Sequence, residues 1–233
     1  MTTWIPFTRN ICRKEVLNMS KVIGFIPIKF NNQRLPGKNI KNLGGKPLCT
    51  YVFETVSQVK NIDEIYVICS DPTIQEYMPK KLHFLQRPKE LDADTVQSKQ
   101  IIEWFLSRVK GDIYALMHVT QPFITPETIE TAVSRVKDGS HDSAFAAREV
   151  KEFAWYCGKP INYSFENVVR TQELEALYIE SELYVFEKDV FTTYGRRIGF
   201  SPYIHPIGWK EGICIDDLQD FEMAQAALRL SEE

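Results

Sequence analysis

The stretch Val22–Asn39, VIGFIPIKFNNQRLPGKN, sets a short apolar run against a loop that carries three cations. Val22–Ile28 is rich in β-branched and aromatic side chains, which predicts a buried strand. Pro47–Val59 then spaces apolar residues at helical intervals, and Glu64–Cys69 (EIYVIC) returns as a second strand. Strand, loop, helix and strand in that order make a βαβ unit, the building block of a parallel sheet. In an open sheet of this kind ligands bind beyond the carboxyl ends of the strands, which is where Lys29, Arg34 and Lys38 fall. Cations held by a loop, with small and amide side chains between them, suit a polyphosphate. A solvated basic loop is the other reading of the same charges. The segment is neither GxGxxG nor GxxxxGK followed by Ser or Thr, which argues against a dinucleotide-binding oxidoreductase and a P-loop enzyme.

The alternation continues outward. Pro72–Met78 predicts a short helix, His83–Leu85 a brief strand, and Val96–Val109 a helix with Ile101, Ile102, Phe105, Leu106 and Val109 on one face. Ile113–Val119 is a buried strand; Thr125-Pro126-Glu127 starts a helix with Thr125 as its cap; Ser143–Val150 is a strand. Leu183–Phe186 is a later strand, and Asp217–Leu230 closes the chain as an amphipathic helix with Leu218, Phe221, Ala224 and Leu228 inward. Residues 151–180 are aromatic and polar without clear periodicity, an excursion from the main sheet. No repeat or linker divides the chain, so residues 19–233 read as one α/β domain with a mainly parallel sheet. Residues 1–18 are basic and irregular and read as an appendage or a mis-assigned start, because MSKVIGFIPIKF from Met19 makes an ordinary N-terminus.

The 233 residues are 44% hydrophobic and 25% charged, enough to bury one sizeable core. A formal charge of −3, spread along the chain, leaves no basic tract for nucleic acid or an anionic membrane. No apolar run approaches the roughly 20 residues of a membrane helix, and no secretory h-region is present. Five dispersed cysteines, Cys12, Cys49, Cys69, Cys157 and Cys214, lack zinc-finger or disulfide spacing and point to the reducing cytoplasm.

Ile26-Pro27, followed eight residues after Pro27 by Leu35-Pro36-Gly37-Lys38-Asn39 and then by Gly44-Gly45-Lys46-Pro47, resembles the signature loop of the acylneuraminate and Kdo cytidylyltransferase (CMP-sugar synthetase) family. The resemblance implies a three-layer α/β/α fold of the nucleotide-diphospho-sugar transferase type. It implies transfer of CMP from CTP to an acidic sugar, with release of pyrophosphate, for surface glycan synthesis. By that likeness Lys29, Arg34 and Lys38 contact the phosphates and serve catalysis, the backbone near Ile28 meets the cytosine, and Asn31 and Asn39 belong to the nucleotide loop. The family usually has Arg where Lys29 stands, so the charge is kept and the bidentate fork lost. The acylneuraminate branch has Lys at Gln33.

Three further segments follow in register. Arg87-Pro88-Lys89-Glu90-Leu91-Asp92-Ala93-Asp94-Thr95 is similar to the family segment along the nucleotide, which implies Arg87 at a phosphate and hydroxyls from Thr95 and Ser98. Asp94 or Thr95 as a helix cap is the competing reading. His118-Val119-Thr120-Gln121-Pro122 lies where relatives hold the sugar, with His118 replacing a glutamine. Arg170, Gln172, Tyr178, Glu180 and Ser181 fall on the family's sugar-contacting segment, although Tyr178 and Glu180 replace an Arg and an Asn of sialic-acid-activating members.

The closing segment Gly212–Phe221 resembles the family's metal-binding end. Asp216 and Asp220 match two of its aspartates and imply Mg²⁺, while Cys214 stands where the first aspartate is expected. Thiol is a poor ligand for that hard cation. Asp216 with the nucleotide's own oxygens, a further carboxylate such as Asp217 or Glu180, or nucleotide binding without efficient turnover all remain open. Asp217 otherwise serves the helix N-terminus. No residue stands out as a general base. The family is commonly a homodimer through the 151–180 excursion. Another acid such as a phosphonate, or a nucleotide-binding protein of weakened activity, is the alternative function.

Overall fold

The computed structural model describes residues 20–230, so the appendage at 1–18 and Cys12 lie outside the described residues. Val22–Pro27 (β1) is the apolar run of the opening stretch, ended by a proline that cannot donate to a ladder. Asn42–Leu43 (β2) and Lys46–Pro47 (β3) form a small hairpin. Its turn residues Gly44 and Gly45 have φ of 57° and 98°, the left-handed region that glycine enters without a Cβ clash. Leu48–Gln58 (α1) leads to Glu64–Cys69 (β4), and His83–Gln86 (β5) follows a short 3₁₀ turn at Pro72–Tyr77. Ser98–Arg108 (α2) returns the chain to Ile113–Met117 (β6), and Pro126–Lys137 (α3) to Ser143–Val150 (β7). Thr125 caps α3 as expected, accepting from the Thr128 N–H.

The central sheet has seven strands. Trp155–Tyr156 (β8) and Lys159–Pro160 (β9) pair apart from it, and Leu177–Glu187 (β10), Lys188–Tyr194 (α4), Pro202–Ile207 (β11) and Leu218–Arg229 (α5) complete the chain. The order across the sheet is β11-β7-β10-β6-β1-β4-β5. Four neighbour pairs are parallel, and β10 runs antiparallel to both β6 and β7, so the expected mainly parallel sheet is observed. On one face α1 and α3 cover the sheet through Val52, Phe53, Val56, Ile129 and Val133. On the other, α2 and α4 bury Ile102, Phe105, Leu106 and Phe191. These are the three α/β/α layers. A smaller cluster of Leu35, Leu43, Leu48, Ile213, Ile215 and Phe221 packs α5 beneath the loop that follows β1.

Four expectations are corrected. The excursion is shorter than 151–180, because residues 177–180 already pair with β7 as the first part of β10, which extends well before Leu183. The short helix α4 and the strand β11 were not anticipated; Pro202 and Pro206 interrupt any strand pattern and are tolerated because β11 lies at the sheet edge. Asp94 and Thr95 do not cap α2, whose start is Gln97, with its N–H donating to Gln100 Oε1 at 2.9 Å. Leu218 is exposed at the start of α5 rather than inward.

Phe105 joins α2 to the sheet. It is fully buried, stacks on Phe25 at 4.4 Å between centroids, and meets Tyr66 and Tyr114 edge-on. Phe105→Ala is expected to lower the unfolding free energy by about 3–5 kcal/mol in urea titration. A loss below ~1 kcal/mol would show that this face of the sheet is not packed as described.

Candidate active site

The chain leaves β1 at Pro27 and turns over the sheet. Gly37 adopts φ 67° to open a 3₁₀ turn at Lys38–Ile40, and Leu35 is anchored in the apolar cluster beneath. The Asn39 amide donates to the Lys29 carbonyl at 2.7 Å and closes the loop on itself. The result is a cleft of about 250 Å³ in which Lys29, Arg34 and Lys38 face Asp94 and Asp216. Lys29 pairs with Asp94 at 3.0 Å, and Gln33 donates to the same carboxylate. Arg34 pairs with Asp216 at 2.8 Å. Lys38 is different in kind: its side chain is 8% exposed, and its ammonium donates to the Ile215 carbonyl at 2.6 Å and lies 3.3 Å from Asp216. The three cations expected at the phosphates are therefore together, balanced by two carboxylates.

Arg87 takes another position. It is 3% exposed, with its guanidinium bonded to Asp92 and to the Ile28 carbonyl at 3.0 Å, so it braces the end of β1 from beneath. The Ile28 N–H is likewise used, donating to Ile68. Asn31 and Thr95 are exposed at the surface. Ser98 begins α2 and lines a separate cavity of about 510 Å³ with Lys99, Arg196 and Arg197.

The strand ends next to β1 carry the second half of the site. His118 follows β6, and its Nδ1 lies 2.8 Å from the Glu182 carboxylate. Gln121, 1% exposed, donates to the Glu211 carbonyl at 2.9 Å and accepts from the Glu182 N–H at 3.1 Å. The Thr120 carbonyl accepts from the Ile215 N–H at 2.7 Å, tying this loop to the closing segment, and the Cys214 thiol points at the Thr120 hydroxyl. Burial works to raise the Glu182 carboxyl, but the His118 ring, the Cys214 thiol and the Arg197 guanidinium outweigh it and hold the group down at about 2. Burial and the Glu182 charge push the Cys214 thiol up to about 12, so it stays protonated. Tyr184 donates to Glu180 at 3.0 Å and accepts from Arg197 at 3.1 Å. The Ser181 hydroxyl is buried without a hydrogen-bond partner. Tyr178 is exposed, Arg170 pairs with Glu173 inside its own turn, and Gln172 is exposed on that turn; none of the three bonds to the His118 cluster.

Sequence reasoning missed Glu182, Arg197 and the pairing role of Asp94. Glu182 shares its strand with Glu180 and Glu187, and nothing in the local pattern sets it apart.

Asp217 and Asp220 belong to the start of α5. Asp217 accepts from the Gln219 and Asp220 N–H groups, and Asp220 accepts from those of Asp216 and Asp217. Among the described residues no three His, Cys, Asp or Glu side chains form a closed metal cage. One carboxylate, Asp216, beside three cations is a donor set compatible with Mg²⁺, which takes one or two protein carboxylates and fills the rest of its sphere with water and phosphate oxygens.

The family model described as cytidylyltransferase matches residues 23–225. The 3-deoxy-manno-octulosonate cytidylyltransferase 2 of Hydrogenovibrio crunogenus is 29% identical over 126 residues, 54% of this chain and 50% of that protein. The 3-deoxy-manno-octulosonate cytidylyltransferase of Escherichia coli is 28% identical over 123 residues, 52% of this chain and 48% of that one. The chain thus spans about half the length of these curated relatives in the matched region. The structure of CMP:2-keto-3-deoxy-manno-octonic acid synthetase complexed with CTP is similar with a TM-score of 0.70 at 18% identity, covering 92% of this chain and 100% of that one. The 4-diphosphocytidyl-2C-methyl-D-erythritol synthase of Anaerococcus prevotii follows at 0.66 and 13% identity, covering 92% and 99%. The two structures establish the fold, and the family match runs from β1 into α5: the chain belongs to the cytidylyltransferase family.

Proposed function

We propose that the protein transfers CMP from CTP to the hydroxyl of an acidic sugar of the 2-keto-3-deoxy type, Kdo-like or nonulosonic, releasing pyrophosphate and supplying surface glycan synthesis. The observation that carries this reading is the cleft after β1, where Lys29, Arg34 and Lys38 converge on Asp216. A triphosphate entering the cleft competes with Asp94 and Asp216 for those cations. Arg34 and Lys29 sit in partly exposed pairs, which are weak and readily exchanged. They would then hold the β- and γ-phosphates and stabilise the charge on the departing pyrophosphate. Asp216, released from Arg34, would hold Mg²⁺, which would supply positive charge against the phosphates. Arg87 acts indirectly by fixing the carbonyl at Ile28, and Asp220 by fixing the backbone of Asp216. Ser181, Glu180 and Gln121, gathered at β10 and the end of β6, form the sugar side of the reading.

The same reading includes a homodimer formed through the excursion after β7. Its hairpin and flanks expose Trp155, Tyr156, Ile161, Phe165 and Val168, apolar side chains that a partner would cover. A reducing cytoplasm fits the four unpaired cysteines among the described residues.

Pyrophosphate release from CTP and Mg²⁺ should require an added acid when Kdo, nonulosonic acids and a phosphonate are compared, and should fall at least ~100-fold in Asp216→Ala. Release with the phosphonate alone would move the substrate class, and CTP binding without release for any acid would favour a nucleotide-binding protein. In sedimentation the wild type should run as a dimer and Trp155→Glu with Phe165→Glu as a monomer; a monomeric wild type contradicts the proposed interface.

A further inference from the structure

The irregularity in β10 sits beside the site. Glu180 pairs with Ala147 and Tyr184 with Phe145, so residues 181–183 of β10 oppose Ala146 alone. Extra residues in one strand re-aim a side chain, and such bulges gather next to active sites. The side chain re-aimed here is Glu182, which meets His118 Nδ1 at 2.8 Å. The ladder explains why His118 matters. Parallel pairing sets Phe25 against Leu116, and continuing that register brings His118 opposite Pro27, where the nucleotide loop begins. On its other side, the bond from the Ile215 N–H to the Thr120 carbonyl sets the residues after His118 against Asp216. His118 thus leaves the strand next to β1, and its partner Glu182 lies against Cys214 of the closing segment.

The pairing fixes the chemistry of the ring. An ionised carboxylate accepts only, so Nδ1 carries the hydrogen and Nε2 of the neutral ring keeps a lone pair. Nε2 has no hydrogen-bond partner among the described residues, and the side chain is 22% exposed. The groups that face the pair are the Cys214 thiol from the closing segment and the Arg197 guanidinium from the chain after α4, with Asp216 beyond Cys214. None of them is a competing base: the thiol is protonated, Arg197 is cationic, and Asp216 is paired with Lys38 and, in the reading above, taken by Mg²⁺.

We propose that His118 is the general base of the transfer and Glu182 its positioning residue. The hydroxyl proton of the sugar passes to His118 Nε2 as its oxygen bonds to the α-phosphorus of CTP. The bond from that phosphorus to the bridging oxygen breaks, and its electron pair leaves with pyrophosphate. Glu182 holds the tautomer and balances the imidazolium that forms, as the aspartate does in a Ser-His-Asp triad. The proposal rests on the CMP-transfer reading above.

Steady-state rates across pH for wild type, His118→Gln and Glu182→Gln test it, using an acid that the wild type accepts. His118→Gln should lower kcat by about 10²–10⁴-fold and abolish the acidic limb, with the KM for CTP changed less than about threefold. Glu182→Gln should lower kcat less than His118→Gln does, because the ring keeps its basic nitrogen but loses the carboxylate that orients it. Wild-type kcat and an unmoved limb in folded His118→Gln overturn the base and leave the pair as a pin for the bulge. A wild type that releases no pyrophosphate with any acid instead overturns the transfer reading, and the base with it. Nitrogen-15 spectra give a readout without turnover: a hydrogen on Nδ1 in the wild type and a mixed population in Glu182→Gln support the assignment, and a hydrogen on Nε2 overturns it.

Discussion

A buried ammonium holds the ligand end of this molecule together. Lys38 follows β1, yet it donates to the carbonyl of Ile215, 177 residues later, from a position almost closed to water. Taking an ammonium out of water is costly unless its hydrogens are met, and here the Ile215 carbonyl and the Asp216 carboxylate meet them. The neighbouring Ile215 N–H donates in turn to Thr120 at the end of β6. Three segments far apart in the chain therefore converge on one peptide. The apolar cluster of Leu35, Leu43, Ile213, Ile215 and Phe221 packs beneath that junction and keeps water from it.

The rest of the site follows from this joint. With Lys38 pinned, Asp216 can lean only toward Arg34, and the cleft rests in a balanced state in which cations and carboxylates satisfy one another. Such a cleft is stable without ligand and exchanges partners cheaply when a more highly charged anion arrives, because the Arg34 and Lys29 pairs are open to solvent. Lys38 is the exception. Its bond to the Ile215 carbonyl is buried and ties the loop after β1 to the segment that carries Asp216. The carboxylate of Glu182 stands against the Cys214 thiol, the position where the family resemblance implies an aspartate.

How much of this was legible depended on whether local pattern or distant contact decided the outcome. The βαβ opening, the boundaries of Glu64–Cys69 and Ser143–Val150 and the cap at Thr125 follow from apolar spacing and helix signals within a few residues. The cation loop was legible because its charges are adjacent. Arg87 was read at the wrong depth: its charge was visible, but burial beneath Ile28 depends on Asp92 and on a neighbouring strand. β11 hid behind two prolines that only an edge position excuses. Glu182 was invisible as a functional residue because a bulge is a relation between two strands, and the strand pattern alone carries no trace of it.

Whether the cleft gripped by Lys38 is the CTP site can be read by calorimetric titration of CTP into the protein without acceptor. Saturable binding to the wild type is expected, with a loss of about tenfold or more in Lys38→Met, the scale of a bond made by a charged donor. Equal affinity in a folded Lys38→Met protein, or no binding by the wild type, would contradict it.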